Sequence, residues 1–229
     1  MTLLMTQDVT LKDIRTEKEN VMDIDRMELV LGTIDRLGVV TVKQLHEILK
    51  FSNYRKTCRI VQSLEQYLNV DRSKQKIVYL NKEGRNFLGS ENEVKKSPLF
   101  DHMLLCNLVF IYYNCPISWH REYVVEFEQN RPVLNFIKVE GINVSNKQKF
   151  VSDAYFERNG YSYFIEVDNK RDMKDNKKKI NKYIELWPKI RERFQNPRLC
   201  VFTHSDKRKK MFLDWTKNIP NEVKVFSEI

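Results

Sequence analysis

The chain has 229 residues, 41% of them apolar, enough for one large domain or two small ones with a real core. Forty Lys+Arg against 31 Asp+Glu give a net charge of +9 at pH 7, which points to a polyanionic partner. The longest apolar stretch, residues 103–113, is broken by Asn107 and falls well short of the roughly 20 residues that span a bilayer. The start, Met1 to Thr6, is too short for a signal peptide. The four cysteines are scattered with no CxxC pair, so neither a zinc knuckle nor a disulfide framework is expected. The expectation is a cytoplasmic protein with no membrane partner.

Residues 1–22 are polar and weakly patterned and read as an arm or a short docking helix. Residues 23–90 read as one compact unit. Met27, Val30, Leu31, Ile34 and Leu37 fall at helical spacing, and Gly38 ends that helix. Thr41 caps a second helix with Val42, Leu45, Ile48 and Leu49 inward. After a turn at 50–53, the pattern predicts a third helix over about 53–68, with Ile60, Val61, Leu64 and Leu68 as its apolar stripe. A polar tip at 71–76, a strand at 77–80 and a short helix at 82–88 close the unit.

Helix, helix-turn-helix, then a two-stranded ribbon is the order of a winged helix-turn-helix. In that arrangement the second helix of the turn meets base edges and the ribbon tip meets phosphates. Such contacts need hydrogen-bond donors and cations, and residues 43–85 hold ten Lys/Arg against four Asp/Glu. Asn53, Arg55, Lys56, Arg59 and Gln62 on the third helix, with Arg72, Lys74 and Lys76 on the tip, are the candidate DNA-binding residues. Arg pairs bidentately with guanine, and Lys serves chiefly as a phosphate counter-charge. Double-stranded DNA is therefore the expected partner, and a homodimer on paired half-sites is compatible with the pattern.

Residues 89–97, GSENEVKKS, mark the boundary to a second domain over 97–229. Its predicted elements are an apolar helix at about 98–114 and strands at 123–127, 150–156 and 161–167. The last two strands are joined through Asn159-Gly160, a strong hairpin signal. A long helix at about 172–194, a strand at 199–202, a helix at about 206–217 and a strand at 223–226 follow. The fold class is α/β overall.

Three acids stand out there. Asp153 lies in an otherwise apolar strand, and Glu166 and Asp168 lie two residues apart at the end of its hairpin partner. Carboxylates on adjacent strands suit oxygen-liganded Mg²⁺, so Asp153 and Glu166 are the candidate metal ligands. Structural ion pairing with a nearby lysine is the competing reading.

The layout α-β-β-β-α-β with Asp153 and then Glu166-Val167-Asp168 resembles the PD-(D/E)xK, restriction-endonuclease-like core. More closely, LGVVTVKQLHEIL, KIVYLNKEGRNFL, DHMLLCNLVFIYY, SDAYF, YFIEVDNK and KKINKYIELW, taken in order over residues 25 to 190, resemble the replication-relaxation family of plasmids and other mobile elements in Gram-positive bacteria. That resemblance implies DNA binding in plasmid replication, copy-number control or mobilisation, alongside replication or relaxase proteins. Two positions depart from the nuclease pattern. Ser152 replaces the usual Pro, and Asp168 stands where active nucleases carry the Lys that orients the attacking water. Lys170, or Lys179 and Lys182 on the following helix, are the substitutes within reach. The catalytic candidates are thus Asp153, Glu166, Asp168 and Lys170.

The missing lysine favours a degenerate nuclease-like domain used as a DNA clamp. A Mg²⁺-dependent endonuclease using Asp153 and Glu166 is the alternative, and a non-catalytic protein adaptor the third reading. Residues 170–210 hold fifteen Lys/Arg against five Asp/Glu, consistent with a clamp.

Overall fold

The computed structural model describes residues 11–73, 75–128, 147–169 and 171–229, with side chains from residue 24 onward except that of Lys147. Lys74 and Lys170, named above, lie outside the described residues, as does the segment 1–10. The chain divides into two compact units, one ending at Leu104 and the other running from Leu105 to Ile229.

The first unit opens with α1 (Leu11–Leu37). The helix therefore begins within the segment read as a polar arm or a short docking helix. Val30, Leu31, Ile34 and Leu37 are buried at helical spacing. Gly38, at φ 78°, closes the helix by donating its N–H to the Ile34 carbonyl at 2.7 Å. A two-residue strand, β1 (Val40–Thr41), follows. It was not expected, because two residues carry no periodicity. Thr41 then caps α2 (Val42–Leu49) in a reciprocal box with Gln44. Gln44 also donates from Nε2 to the Leu104 carbonyl at 2.8 Å.

Asn53 caps α3 (Tyr54–Ser63), its side chain accepting from the Lys56 N–H at 2.8 Å. This helix is shorter than the spacing predicted. It ends at Ser63, a single 3-10 turn covers Glu65–Tyr67, and Leu68 opens β2 (Leu68–Asp71). Leu68 is buried as expected, but from a strand, because Leu at i+4 and Leu at the head of a strand give the same local pattern. β3 (Ile77–Leu80) pairs antiparallel with both neighbours in the order β1-β3-β2, with Leu68 opposite Leu80 and Asp71 opposite Ile77.

Asn81 caps α4 (Lys82–Leu88) through the Gly84 N–H. Gly84 is fixed by close approach rather than by its dihedrals: a Cβ there would sit 2.3 Å from the Tyr67 carbonyl oxygen. The unit extends past the expected boundary at 89–97 because Phe100 and Leu104 are buried with Val39 and Ile77 in one small cluster. They lie on the first turns of α5 (Phe100–Tyr112). Leu99, expected in that buried helix, stands just before its first turn and is exposed.

The second unit is a five-stranded sheet, order β4-β5-β6-β7-β8, formed by β4 (His120–Glu128), β5 (Lys147–Arg158), β6 (Tyr161–Val167), β7 (Pro197–Thr203) and β8 (Asn221–Val225). The first three strands are antiparallel, and β6, β7 and β8 are parallel. The β5–β6 turn is Asn159-Gly160, both at positive φ as a tight hairpin requires.

The parallel strands are linked through α6 (Met173–Arg193) and α7 (Asp206–Thr216). Both helices bury their apolar stripes on the same sheet face. Ile180, Tyr183, Trp187 and Ile190 of α6 and Phe212 of α7 share one core with Phe164, Leu199, Val201 and Val223. The other face is covered by aromatic residues near the end of α5, where Tyr113 meets Phe156, Tyr163 and Phe202. The chain is mixed α/β, as the sequence indicated. None of the four cysteines forms a disulfide. Among the described residues no helix is long and apolar enough to cross a membrane.

Candidate functional site

The pairing of β5 with β6 ends where the acids lie, while β6 continues beside β7. The β5–β6 ladder runs from Arg158↔Tyr161 to Ala154↔Ile165 and stops there, so Asp153 and Glu166 face each other beyond the last ladder pair. Side chains take over from backbone pairing at this point. The Asp153 Oδ2 accepts the Val167 N–H at 2.7 Å, and the buried Ser152 hydroxyl lies 2.9 Å from the Ile165 carbonyl and 2.7 Å from that of Ala154. Phe150 and Tyr155 both reach the core under α6 although they are five residues apart, so the inward phase of β5 shifts between them. That shift turns Asp153 toward α6.

On α6, Lys179 and Tyr183 stand one turn apart and face the two acids. The Lys179 ammonium is 2.9 Å from Asp153 Oδ1 and directly against Glu166 Oε2. Tyr183 donates its hydroxyl to Glu166 Oε1 at 2.5 Å. Glu166 and Tyr183 are buried, and Asp153 and Lys179 are partly buried.

One ammonium neutralises one carboxylate, and the second anion lies in a dry place. Burial first, then the Asp153 charge, push Glu166 up to about 8 against the pull of Lys179. Burial works against the Lys179 charge, but the two carboxylates outweigh it and hold the ammonium protonated above its ordinary range. Burial, then Asp153 and Glu166, raise the thiol of Cys106 well above its usual range.

Asp168 follows β6 and belongs to a different set of bonds. Arg208 at the start of α7 grips it with two parallel bonds, Nε to Oδ2 at 2.5 Å and Nη2 to Oδ1 at 2.6 Å. Thr203 donates to Oδ2 at 2.6 Å and Asn176 to Oδ1 at 3.0 Å. Arg208 also reaches the Arg171 carbonyl at 2.6 Å, so this latch fixes the loop between β6 and α6. These bonds outweigh burial and lower the Asp168 carboxyl below its ordinary range.

The structure thus brings Asp153 and Glu166 together and gives Asp168 a separate cation. Lys182 is exposed on the outside of α6. Lys179, named in the sequence only as one possible substitute lysine, is the one that reaches the acids. Tyr183, Arg208, Thr203 and Asn176 were not foreseen. The i, i+4 spacing of Lys179 and Tyr183 was the one local signal available for any of them.

Two carboxylate oxygens from adjacent strands, Asp153 Oδ1 and Glu166 Oε2, converge on one point, now taken by the ammonium. As donors they fit Mg²⁺, which is commonly held by one or two carboxylates with the rest of its shell from water and phosphate. Among the described residues no group of three or more His, Cys, Asp or Glu is placed to hold a metal.

In the first unit, α3 buries Thr57 and Val61 and turns Asn53, Arg55, Lys56, Arg59 and Gln62 outward, all exposed. Arg72 and Lys76 flank the β2–β3 tip and share Glu65, at 3.9 and 3.8 Å. Thr57 is tied to α2 by a 3.1 Å hydrogen bond between its hydroxyl and His46 Nδ1, which fixes how α3 is turned.

Residues 31–199 match the family model described as replication-relaxation. The match covers well over half of the chain, which therefore belongs to the replication-relaxation family. Comparison with curated proteins finds no match. Among solved structures, the crystal structure of protein VC1899 from Vibrio cholerae is similar at 12% identity with a TM-score of 0.32, covering 88% of this chain and 48% of that one. The chain thus spans about half the length of that protein.

Proposed function

We propose that the chain is a duplex-DNA-binding protein acting in replication, copy-number control or mobilisation of a plasmid or other mobile element. In this reading the first unit is a winged helix whose α3 enters the major groove, and the second unit is a nuclease-like domain. Membership of the replication-relaxation family supports the setting.

The observation that carries the DNA reading is the outer face of α3. Arg55, Lys56 and Arg59 are exposed there with no carboxylate within ion-pair distance among the described residues. Three unneutralised cations on a helix fixed by its buried side and its Asn53 cap suit base edges and phosphates. The wing tip adds Arg72 and Lys76.

The test is the salt dependence of duplex binding by the full chain. Replacing Arg55, Lys56 and Arg59 together by Ala lowers the log–log slope by up to about 2.7, at about 0.9 per phosphate contact. An unchanged slope would show that α3 does not meet DNA.

A second reading is favoured by one specific observation, the Lys179 ammonium between Asp153 and Glu166. With Asp168 in the usual lysine position, Lys179 supplies that charge from the helix, as a metal-dependent DNA endonuclease needs. Bound Mg²⁺ would supply water activation and charge neutralisation at the phosphodiester. In this reading Asp153 and Glu166 would hold the ion, Tyr183 would orient Glu166, and Lys179 would supply positive charge toward the scissile phosphate. A supercoiled-plasmid assay with Mg²⁺ or Mn²⁺ decides it. Nicking that disappears in Asp153→Ala supports cleavage; no nicking by the native chain, or equal nicking by the variant, refutes it.

A further inference from the structure

We infer that the outer face of α6 and α7 is a second DNA-contacting surface, one that grips the phosphate backbone without reading sequence. The inference rests on the reading of DNA as the partner, but not on α3.

Residues 171–182 hold six Lys/Arg against two Asp. Of these, Lys179 is committed inward to the acids. Lys174, Lys178 and Lys182 are exposed at i, i+4 and i+8, opposite the buried stripe of Asn176, Ile180 and Tyr183. They form a ridge about 12 Å long at 1.5 Å per residue. Lys178 has a surface pair with Asp175 at 3.3 Å. Lys174 and Lys182 have no carboxylate within ion-pair distance among the described residues.

The second helix extends this surface. α6 and α7 pack on the same face of the sheet, so their solvent sides look the same way. The Arg208 guanidinium on the Arg171 carbonyl draws the two helix starts together. Lys177 on α6 lies over the Trp215 ring of α7 at 5.8 Å. Lys207 and Lys210 are exposed on the first turns of α7, and Arg171 is exposed before α6.

This arrangement is electrostatically unfavourable for the chain alone. Like charges at i, i+4 weaken a helix. Cations in a first turn oppose the helix dipole. Ion pairs elsewhere show that this protein neutralises cations where it can, as Lys209 does with Glu228 at 2.7 Å. A line of regularly spaced phosphates relieves the repulsion, and it matches a ridge of spaced ammonium groups better than a single anion does.

The experiment measures binding of the full chain to two duplexes of unrelated sequence across a range of salt. Lys174→Ala/Lys178→Ala/Lys182→Ala is compared with Arg55→Ala/Lys56→Ala/Arg59→Ala. Alanine at exposed helix positions preserves the fold, and a thermal melt of each variant confirms it. The ridge variant is expected to lose affinity for both duplexes equally, with the log–log slope reduced by about 2–3. Charge reversal at the same three positions deepens the loss.

An unchanged slope in the ridge variant, with binding lost in the α3 variant, overturns this inference and leaves the reading of α3 intact. Unchanged binding in both variants overturns the DNA reading itself. A ridge variant that loses binding to phosphatidylserine vesicles but keeps its DNA affinity overturns the inference in favour of an anionic surface.

Discussion

Replacing Lys179 by Met is the sharpest test of the acid cluster. Methionine keeps most of the side-chain length and removes the charge. The ammonium touches Asp153 Oδ1 at 2.9 Å and presses on Glu166 Oε2, and the Glu166 side chain is 7% exposed. Removing one partner from a buried ion pair costs about 3–5 kcal/mol, a large share of the roughly 5–15 kcal/mol that a domain has.

The loss depends on pH in a defined direction. Glu166 is already raised above its unfolded value, to about 8, and without the ammonium it rises further. A carboxyl raised in the folded state is protonated there while the unfolded chain has lost the proton. Its contribution is present below the unfolded value and disappears as pH rises through the folded one. The variant's shortfall is therefore level at lower pH and widens as pH rises through about 8, where the native Glu166 ionises beside the ammonium and the variant's does not. The slope difference is at most about 1.4 kcal/mol per pH unit for one proton. Adding Glu166→Gln removes the second anion and restores part of the loss, with a coupling of about 1–3 kcal/mol in the double-mutant cycle. Urea titrations at three pH values measure all of this. A Lys179→Met variant within about 1 kcal/mol of the native chain at pH 8 would refute the reasoning, as those costs apply only to a desolvated pair.

Four further outcomes are expected. Arg208→Ala strands the buried Asp168 carboxylate and lowers stability at pH 7 by about 3–5 kcal/mol; Arg208→Lys recovers only part, because an ammonium cannot make the two parallel bonds. Asp168 is lowered in the folded state, so its contribution is full above the unfolded carboxyl value and is lost as pH falls; in Asp168→Asn that acid limb of the urea-midpoint profile is flattened. Gly84→Ala, which in an open helix gains up to about 1 kcal/mol, here loses stability because the new Cβ meets the Tyr67 carbonyl oxygen at 2.3 Å; a raised melting temperature would contradict that contact. Asn53→Ala removes the cap of α3 and costs about 0.5–2 kcal/mol in a thermal or urea melt, with unchanged stability showing that the cap is not used.

The order of elements was legible in the sequence because helices and strands declare themselves locally. Val30, Leu31, Ile34 and Leu37 repeat at the helical period, Thr41 and Asn53 stand at helix starts, and Asn159-Gly160 makes a hairpin whatever surrounds it. Where two local patterns coincide the sequence was ambiguous. Leu64 and Leu68 continue a helical stripe on paper, yet Leu68 belongs to a strand, since its pairing with Leu80 is a contact between distant residues. The two-residue β1 is visible only through its partner β3.

The candidate acids were also legible, as polar residues in apolar strands. Their partners were not. Lys179 lies 26 residues from Asp153 and 13 from Glu166 and is one of five lysines between positions 174 and 182. Helical spacing alone puts each on some face without saying which face the sheet covers. Docking of α6 through Ile180, Tyr183 and Trp187 selects Lys179 for the interior and leaves Lys174, Lys178 and Lys182 outside. In the same way, the pairing of β6 with β7 and the start of α7 hand Asp168 to Arg208, forty residues on. Sequence by itself determined most of the helix and strand segments and which residues carry charge, because those depend largely on neighbours a few positions away. Tertiary structure alone decided which charges meet, because an ion pair depends on distance in space, and burial sets its strength.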